Sequence, residues 1–466
     1  MQNTWKRALR WGLSSLAAAA AARAQDLPYS ADKAYEHLEV LAGTIGERTA
    51  GSEAETRAAE YIAGKYRSWG LKTSVEKFPI PTWTEHRARL WTASPQVVDF
   101  PSRTVVFGGT TKPEGVVGDF VDLHTASKAD LKGKDIKGKI VLVRRDVEVD
   151  YPDYWLTDRL IPLGPAGLIF YSSPGRSGIP SAYFNYKRSL KEPTPPAVEI
   201  SYEDALRLVL MHPKRVGLTV VADVAWKESQ NVIGELTGTS KPDEIVVFSA
   251  HTDTAYSSPG AFDDGGGVAA VMELARAFSQ GPRPARTLRF IAWGAEELGL
   301  IGSEAYLRAH PSDTANTVAM INYDGLGAAL GILEWTAAGS EDWMKFLHQT
   351  FDPLGLEERS SLGVSGTDST NFGALEVPNI DFSQAGSNDG SHTPADNLQE
   401  TSAEGLADPI RLVAILGQRL ATDTTLSFSH HFPADFLQSI RDYAARWGWG
   451  VRPEANLDPK FVTAHP

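Results

Sequence analysis

The residues best suited to chemistry stand where apolar runs end. His251 and Asp253 follow "VVFSA", Asp263 and Asp264 precede "GGG", Glu296 and Glu297 follow "TLRFIAWGA", Asp324 follows "TVAMINY", and His392 sits in "GSNDGSHTPADNL". Side chains alternate along an extended segment, so His251 and Asp253 share a face. Glycines after Asp264 let the backbone pass close to a site. So many carboxylates gathered at one place cost several kcal/mol per unpaired ion unless a cation compensates them. A bound metal is the simplest cation, and a mixed histidine and carboxylate set suits Zn²⁺ better than Mg²⁺ or Ca²⁺, which prefer oxygen. One catalytic zinc takes three protein ligands and keeps a position open. This set suffices for two Zn²⁺ if one carboxylate bridges; ions about 3.5–4 Å apart can hold a hydroxide and polarise a carbonyl. In the Glu296–Glu297 doublet neighbouring side chains diverge, so one can bind metal while the other serves as general base.

Each piece also has an ordinary explanation. An acidic pair at a helix start complements the helix dipole, and "HTD" alone is a common turn. "GGG" before a helix suggests a phosphate loop, but no Gly-Lys-Ser/Thr follows, which argues against nucleotide binding. The remaining histidines, His430 and His431 among them, lack acids at strand ends. What distinguishes the set is its joint placement, in order, at the ends of consecutive strands.

The elements that must position these groups can be read outward from them. From Asn231 onward "EIVVFSA", "TLRFIAW" and "TVAMINYD" are continuous apolar strands separated by the helices "GVAAVMELARAF" and "LIGSEAYLRA". Buried strands alternating with helices predict an α/β fold with a mostly parallel central sheet covered by helices on both faces. In such sheets ligands sit beyond the carboxyl ends of the strands. Upstream, a helix begins at Ser30 with Tyr35, Leu38 and Leu41 on one stripe, and a second spans 53–69 before Gly70. The stretch "LKTSVEKFPI" alternates like a strand. Between 101 and 225 the texture turns to short strands ("GVVGDFVDL", "GKIVLVRRD", "AGLIFYSS") broken by Gly and Pro, with one helix opened by Ser201. This is a β-rich insert at 101–225 within a discontinuous domain made of 25–100 and 226–466. "SGTDSTNFGALEVPNI" adds a further loop near the cleft, in which Asp368 is a weaker candidate for contact with the site.

Composition narrows the class. The 466 residues are 42% hydrophobic and 22% charged, ample for a large core. The net charge of -13 argues against nucleic acid as a partner. The first 24 residues read as a signal peptide, with Lys6, Arg7 and Arg10, an apolar run, and an Ala-x-Ala site ending at Ala24. Its removal, with Arg23, takes the charge from -13 to -17. The apolar run is shorter than the roughly 20 residues a bilayer span needs, so the mature protein is expected to be exported, periplasmic or extracellular, without a membrane anchor. Cysteine is absent, so no disulfide supports it.

The array "HTD", "GAFDDGGG", "WGAEELGLIGSEAY", "NYDG" and "SHTPADNL" resembles the di-zinc exopeptidases of the bacterial aminopeptidase and carboxypeptidase Q type. "GERTAGSEAETRAAEYIAGKYRSWGLKTSVEKFPIPTW" is similar to the N-terminal region of the carboxypeptidase Q branch, and the insert takes the place of a protease-associated domain. The resemblance implies that His251 and Asp324 bind one zinc, Glu297 and His392 the other, and Asp263 both. It makes Glu296 the base and Asp253 the residue orienting His251, and it implies a cis peptide after Asp263. The implied substrate is a peptide or dipeptide with a free N-terminal amine, with homodimerisation left open. Phe262 stands where many relatives have Asn, and Ser391 where some have an aromatic residue or another His, which affects pocket shape. A carboxypeptidase acting on short peptides, a single-zinc glutaminyl cyclase and a non-catalytic peptide-binding ectodomain are the alternatives. The resemblance spans about Ser30 to Ala421 and does not extend to the tail "FSHHFPADFLQSIRDYAARWGWGV".

Overall fold

A computed structural model describes residues 27–145, 156, 159–172, 178–386 and 390–450; the expected signal peptide lies outside them. Helix α1 (Ala31–Leu38) starts where Ser30 accepts a hydrogen bond from the Lys33 N–H, and α2 (Glu53–Ser68) where Ser52 accepts from Glu55. These are N-caps satisfying first-turn donors. Next come β1 (Lys72–Ser94), β2 (Val98–Phe100), β3 (Arg103–Thr104), β4 (Val116–Asp122), β5 (Ile140–Arg145), β6 (Gly167–Ser172), β7 (Ala197–Ile200), α3 (Tyr202–Leu210) and β8 (Arg215–Leu236). The remainder is β9 (Lys241–His251), α4 (Gly266–Gln280), β10 (Arg286–Trp293), α5 (Ile301–Ala309), β11 (Thr317–Tyr323), β12 (Ile332–Ala338), α6 (Glu341–Phe351), β13 (Glu358–Leu362), α7 (Asp368–Gly373), β14 (Asn379–Ala385), α8 (Ala403–Thr422) and α9 (Ala434–Trp447).

The strands form one sheet in the order β13-β12-β14-β11-β9-β10-β8-β4-β5-β6-β7-β3, with β1 along β8 and β2 along β1. Strands β10, β9, β11 and β14 are mutually parallel, as expected from their unbroken apolar runs. On either side β8 and β12 run antiparallel. The link from β11 to β12 is too short for a crossover helix, so the chain must reverse. Along β9, Val246, Phe248 and Ala250 enter one apolar core with α1, α2, α4 and α8, while Ile245 and Val247 enter another with Trp293, Tyr306 and Phe372. Strand β9 is therefore covered on both faces and ends at His251.

The alternating stretch at 71–80 is part of a much longer strand. β1 continues through Pro79 and Pro81, paired with β8 over nearly its whole length. Proline has no N–H to give a second neighbour, and here β1 needs none, because its other neighbour, β2, meets it only at Leu90–Thr92. β8 runs without interruption across the expected 225/226 boundary. Its end at Val232–Leu236 pairs with β10, and its start at Val216–Leu218 with β4. In the 101–225 segment β4 to β7 are parallel and enclose a separate apolar core that includes Val141, Ile169, Val198 and Leu208.

Candidate metal centre

Every group singled out from the sequence lies at one edge of the sheet. His251 is the last residue of β9, Glu296 and Glu297 follow β10, and Asp324 follows β11. Asp263 and Asp264 lie in the turn before α4, and His392 in the loop after β14. His251 Nε2 lies 3.1 Å from Asp263 Oδ1 and 3.7 Å from Asp324 Oδ1. His392 Nε2 lies 3.2 Å from both Asp263 Oδ2 and Glu297 Oε2. Two triads result, His251–Asp263–Asp324 and Asp263–Glu297–His392, in each of which the donor atoms lie within 4.8 Å of one another. Asp263 is common to both, one carboxylate oxygen toward each histidine.

Three carboxylates with two imidazoles leave the cluster short of positive charge, and the protonation of its members shows the conflict. Burial pushes the Glu297 carboxyl up to about 8 despite the pull of His392. Burial also drives Glu296 well above the carboxylate range, reinforced by Asp324, Asp368 and Glu297. For Asp263 burial is outweighed by hydrogen bonds from His251 and His392, which hold it well below the usual range. His251 is raised well above an ordinary histidine: burial opposes its charge, but Glu296, Asp263 and Asp324 prevail. Buried Glu297 Oε1 has no hydrogen-bond partner among the described residues. A buried acceptor without a donor is costly, and a divalent cation at the shared carboxylate would satisfy it along with the charge deficit. The donor set thus fits a metal.

The supporting contacts differ in part from expectation. Asp253 meets His251 through its main-chain carbonyl, 3.0 Å from Nδ1, whereas its carboxylate is 3.9 Å away. That buried carboxylate instead accepts the backbone N–H of Glu296 at 2.9 Å and of Glu297 at 3.3 Å. One residue therefore orients a histidine of the first triad and fixes the acidic doublet. The Asp263–Asp264 peptide is cis, as the resemblance implied. Asp264 turns away from the triads and accepts from the N–H groups of His251, Gly267 and Gly325, joining three elements beneath the site. The glycines that follow are required by space: a Cβ on Gly266 would lie 2.1 Å from the Leu326 carbonyl, and one on Gly267 2.3 Å from Asp264.

Further residues were not legible as site residues. Asp396 accepts from the N–H groups of Phe262 and Asp263 at 2.7 and 3.1 Å. Its signal lay within "SHTPADNL", where it resembles a turn residue. Arg48, in "GERTAGS", is fully buried behind the cage. It donates to the carbonyls of Leu41, Gly46, Thr252, Pro259 and Gly260 and faces the charges of Asp396, Asp253, Asp264 and Asp263. From the 101–225 segment the Ser181 N–H donates to the His392 carbonyl at 2.9 Å, and the Tyr183 ring stands edge-on to the His392 ring at 6.2 Å. Tyr183 Oη accepts from the Tyr256 N–H. Asp368, the weaker candidate from the sequence, is buried, with one carboxylate oxygen unpartnered among the described residues, and is pushed up to about 7 by burial.

The sequence pattern described as peptidase family M28 matches residues 231–416, a span holding both triads, Asp253, Glu296 and Asp396. Residues 231–416 belong to peptidase family M28. Among curated relatives, aminopeptidase YwaD of Bacillus subtilis is 28% identical over 410 residues, covering 82% of this chain and 83% of that one. Carboxypeptidase Q of Bos taurus is 27% identical over 302 residues, 61% and 63% of the two chains. The solved structure of BSAP, a zinc aminopeptidase from Bacillus subtilis, superposes with a TM-score of 0.71 at 25% identity, covering 88% of this chain and 99% of that one. The matched region is that of an M28 peptidase, its relatives are of the bacterial aminopeptidase and carboxypeptidase Q type, and residues before 231 and after 416 lie outside the matched span.

Proposed function

We propose that this M28 peptidase is an exported di-zinc exopeptidase that hydrolyses the terminal bond of short peptides bearing a free N-terminal amine. The observation that carries this reading is the meeting of two ligand triads at Asp263. His251 and Asp324 would hold one zinc, Glu297 and His392 the other, with Asp263 between. Bound there, the ions would polarise the scissile carbonyl and lower the pKa of the attacking water. Glu296 is assigned as the base that takes a proton from that water and returns it to the leaving amine. Its backbone is held by the Asp253 carboxylate, and its burial favours the protonated form it needs in the second step. The named relatives, an aminopeptidase, a carboxypeptidase and a zinc aminopeptidase, support terminal peptide bonds and zinc.

We assign 1–24 to a cleaved leader, 25–100 with 226–466 to the peptidase domain, and 101–225 to a protease-associated-type insert. The parallel strands β4 to β7 and the apolar core they share, which Phe78, Ile80 and Leu90 of β1 also enter, support a β-rich unit there. Its contacts with the His392 loop through Ser181 and Tyr183 support a position close to the bound substrate, where it would favour short peptides. Among the described residues no helix is long and apolar enough to cross a membrane.

The deciding experiment measures the zinc content of the purified mature chain and assays an unblocked dipeptide beside its N-acetylated form. About two zinc ions per chain and cleavage of the unblocked peptide alone are expected. One zinc with no cleavage of either peptide would transfer the chain to the cyclase reading. A metal-free inactive protein that still bound peptide would make it a binding module.

A further inference from the structure

The C-terminal segment is used by neither the sheet nor the ligand triads, yet it touches the turn that carries the acidic doublet. After α9 the chain reverses at Gly448 (φ 73), and the Trp449 ring stacks on that of Trp447 with centroids 4.5 Å apart and planes at 4°. Both indoles are buried against Leu300 and Ala444. Trp449 also covers Gly299, where an added Cβ would lie 3.2 Å from the indole Nε1. Gly299 (φ 111) and Leu300 (φ 58) form a left-handed turn, and both of their N–H groups donate to the Glu296 carbonyl, at 2.7 and 2.8 Å. A leucine held in this conformation is strained and persists only when its surroundings fix it.

Two sets of hydrogen bonds extend the contact. The Gly450 N–H donates to Asn371 Oδ1 at 3.0 Å, while Asn371 Nδ2 donates to the Leu300 carbonyl at 3.2 Å and to Ser303 Oγ at 2.9 Å. On the other side, Asn185 Nδ2 donates to the Trp447 carbonyl at 3.0 Å, and Lys187 Nζ to the Gly448 carbonyl at 2.7 Å. Lys187 also pairs with Glu304 of α5 at 3.2 Å. The short helix Tyr186–Ser189 of the 101–225 segment, the Glu296 turn and α7 thus share one partner.

We infer that the C-terminal tail is a clasp, with Trp449 as the residue that positions the Glu296 turn and ties the 101–225 segment to it. The kinetic part of this inference rests on the proposed role of Glu296; the conformational part does not. A tail that merely covered apolar surface would affect stability alone, whereas a clasp would set the mobility of 296–301 and the rate of the step Glu296 serves.

The test compares Trp449→Ala, Trp449→Phe and, as a control elsewhere in α9, Leu437→Ala, which disturbs the separate cluster with Phe432 and Ile440. For Trp449→Ala the clasp requires faster hydrogen exchange at 296–301, parent-like zinc content, and a kcat lowered about tenfold or more at little-changed KM, because small misplacements of a reacting group cost rate. Trp449→Phe should restore most of the loss, since Trp449 Nε1 has no hydrogen-bond partner among the described residues. Leu437→Ala should lower the melting temperature without either change. Parent-like exchange and kcat in folded Trp449→Ala, or the same losses in Leu437→Ala, would overturn the inference. If Trp449→Ala does not fold, Asn185→Ala decides: intermediate exchange at 296–301 supports the clasp, and parent-like exchange rejects it. Failure of the parent to cleave any peptide would defeat the proposed function and leave the exchange result to judge the clasp.

Discussion

The Asp396 carboxylate accepts a 3.1 Å hydrogen bond from the backbone N–H of Asp263, the residue shared by both triads. A second bond, 2.7 Å from the Phe262 N–H, fixes the preceding peptide as well. Asp263 is thus located through its own main chain, while its side chain faces both histidines and accepts from Ser391 Oγ at 2.8 Å. Replacing Asp396 with Asn removes one acceptor oxygen and puts an NH₂ against a backbone donor. Outer groups of this kind typically matter about 10–100-fold in metal affinity or activity, so Asp396→Asn should weaken zinc binding and lower kcat/KM within that range. Metal titration against a competing chelator reads it directly, and an affinity equal to that of the parent would remove Asp396 from this role.

Glu296 should be separable from the metal ligands. Glu296→Gln keeps shape and volume but cannot accept a proton, so peptide turnover should fall by about 10²–10⁴-fold, the usual worth of general acid–base catalysis. Zinc content should remain that of the parent, because Glu296 belongs to neither triad. A near-normal rate, or loss of zinc, would show that the two members of the doublet have been assigned the wrong way round.

The sequence made the cage visible for a physical reason. Strands buried on both faces read as unbroken apolar runs, so the first polar residues beyond β9, β10 and β11 stand out as the carboxyl edge of the sheet. Asp396 and Arg48 lacked such a signal. Their importance depends on which backbone groups the fold brings to them, and nothing local distinguishes a buried guanidinium from an exposed one. The extent of β1 was hidden because Pro79 and Pro81 punctuate a strand unless it has a free edge, a property of the sheet. Asp253 was expected to orient His251; the atom it presents to the ring is its carbonyl oxygen, which depends on the turn after β9.

The acidity of the cage gives a pH dependence with a definite sign. In the metal-free protein Glu297 is raised to about 8, against roughly 4.3 for a free glutamate. Between those values the folded metal-free chain carries more protons at Glu297 than the unfolded chain, so its contribution to stability falls as pH rises through that window. Zinc must displace that proton and also the one that the raised His251 carries, so zinc affinity should rise with pH through about 8. The increase in melting temperature on adding zinc should therefore be larger at pH 7.5 than at pH 5.5, and binding heats measured in buffers of different ionisation enthalpy should reveal proton release. An increase that shrank with rising pH would reverse the sign and exclude displacement of a proton from Glu297.

Arg48 offers a test of the support behind the cage. Its guanidinium reaches carbonyls of Leu41, Gly46, Thr252, Pro259 and Gly260, a spread that the single ammonium of lysine cannot match. Arg48→Lys keeps a charge yet leaves several buried carbonyls without donors. At about 1–3 kcal/mol for each unsatisfied group, a loss of roughly 3 kcal/mol or more is expected. Arg48→Met removes the cation too, and the nearby carboxylates then lose a compensating charge that zinc can partly replace. The methionine variant should therefore lie further below the parent when zinc is chelated than when it is present. Urea unfolding of the parent and both variants in the two conditions measures these differences. If Arg48→Met were equally destabilised with and without zinc, the buried cation would be acting on the loops alone, with no electrostatic part in balancing the acids of the cage.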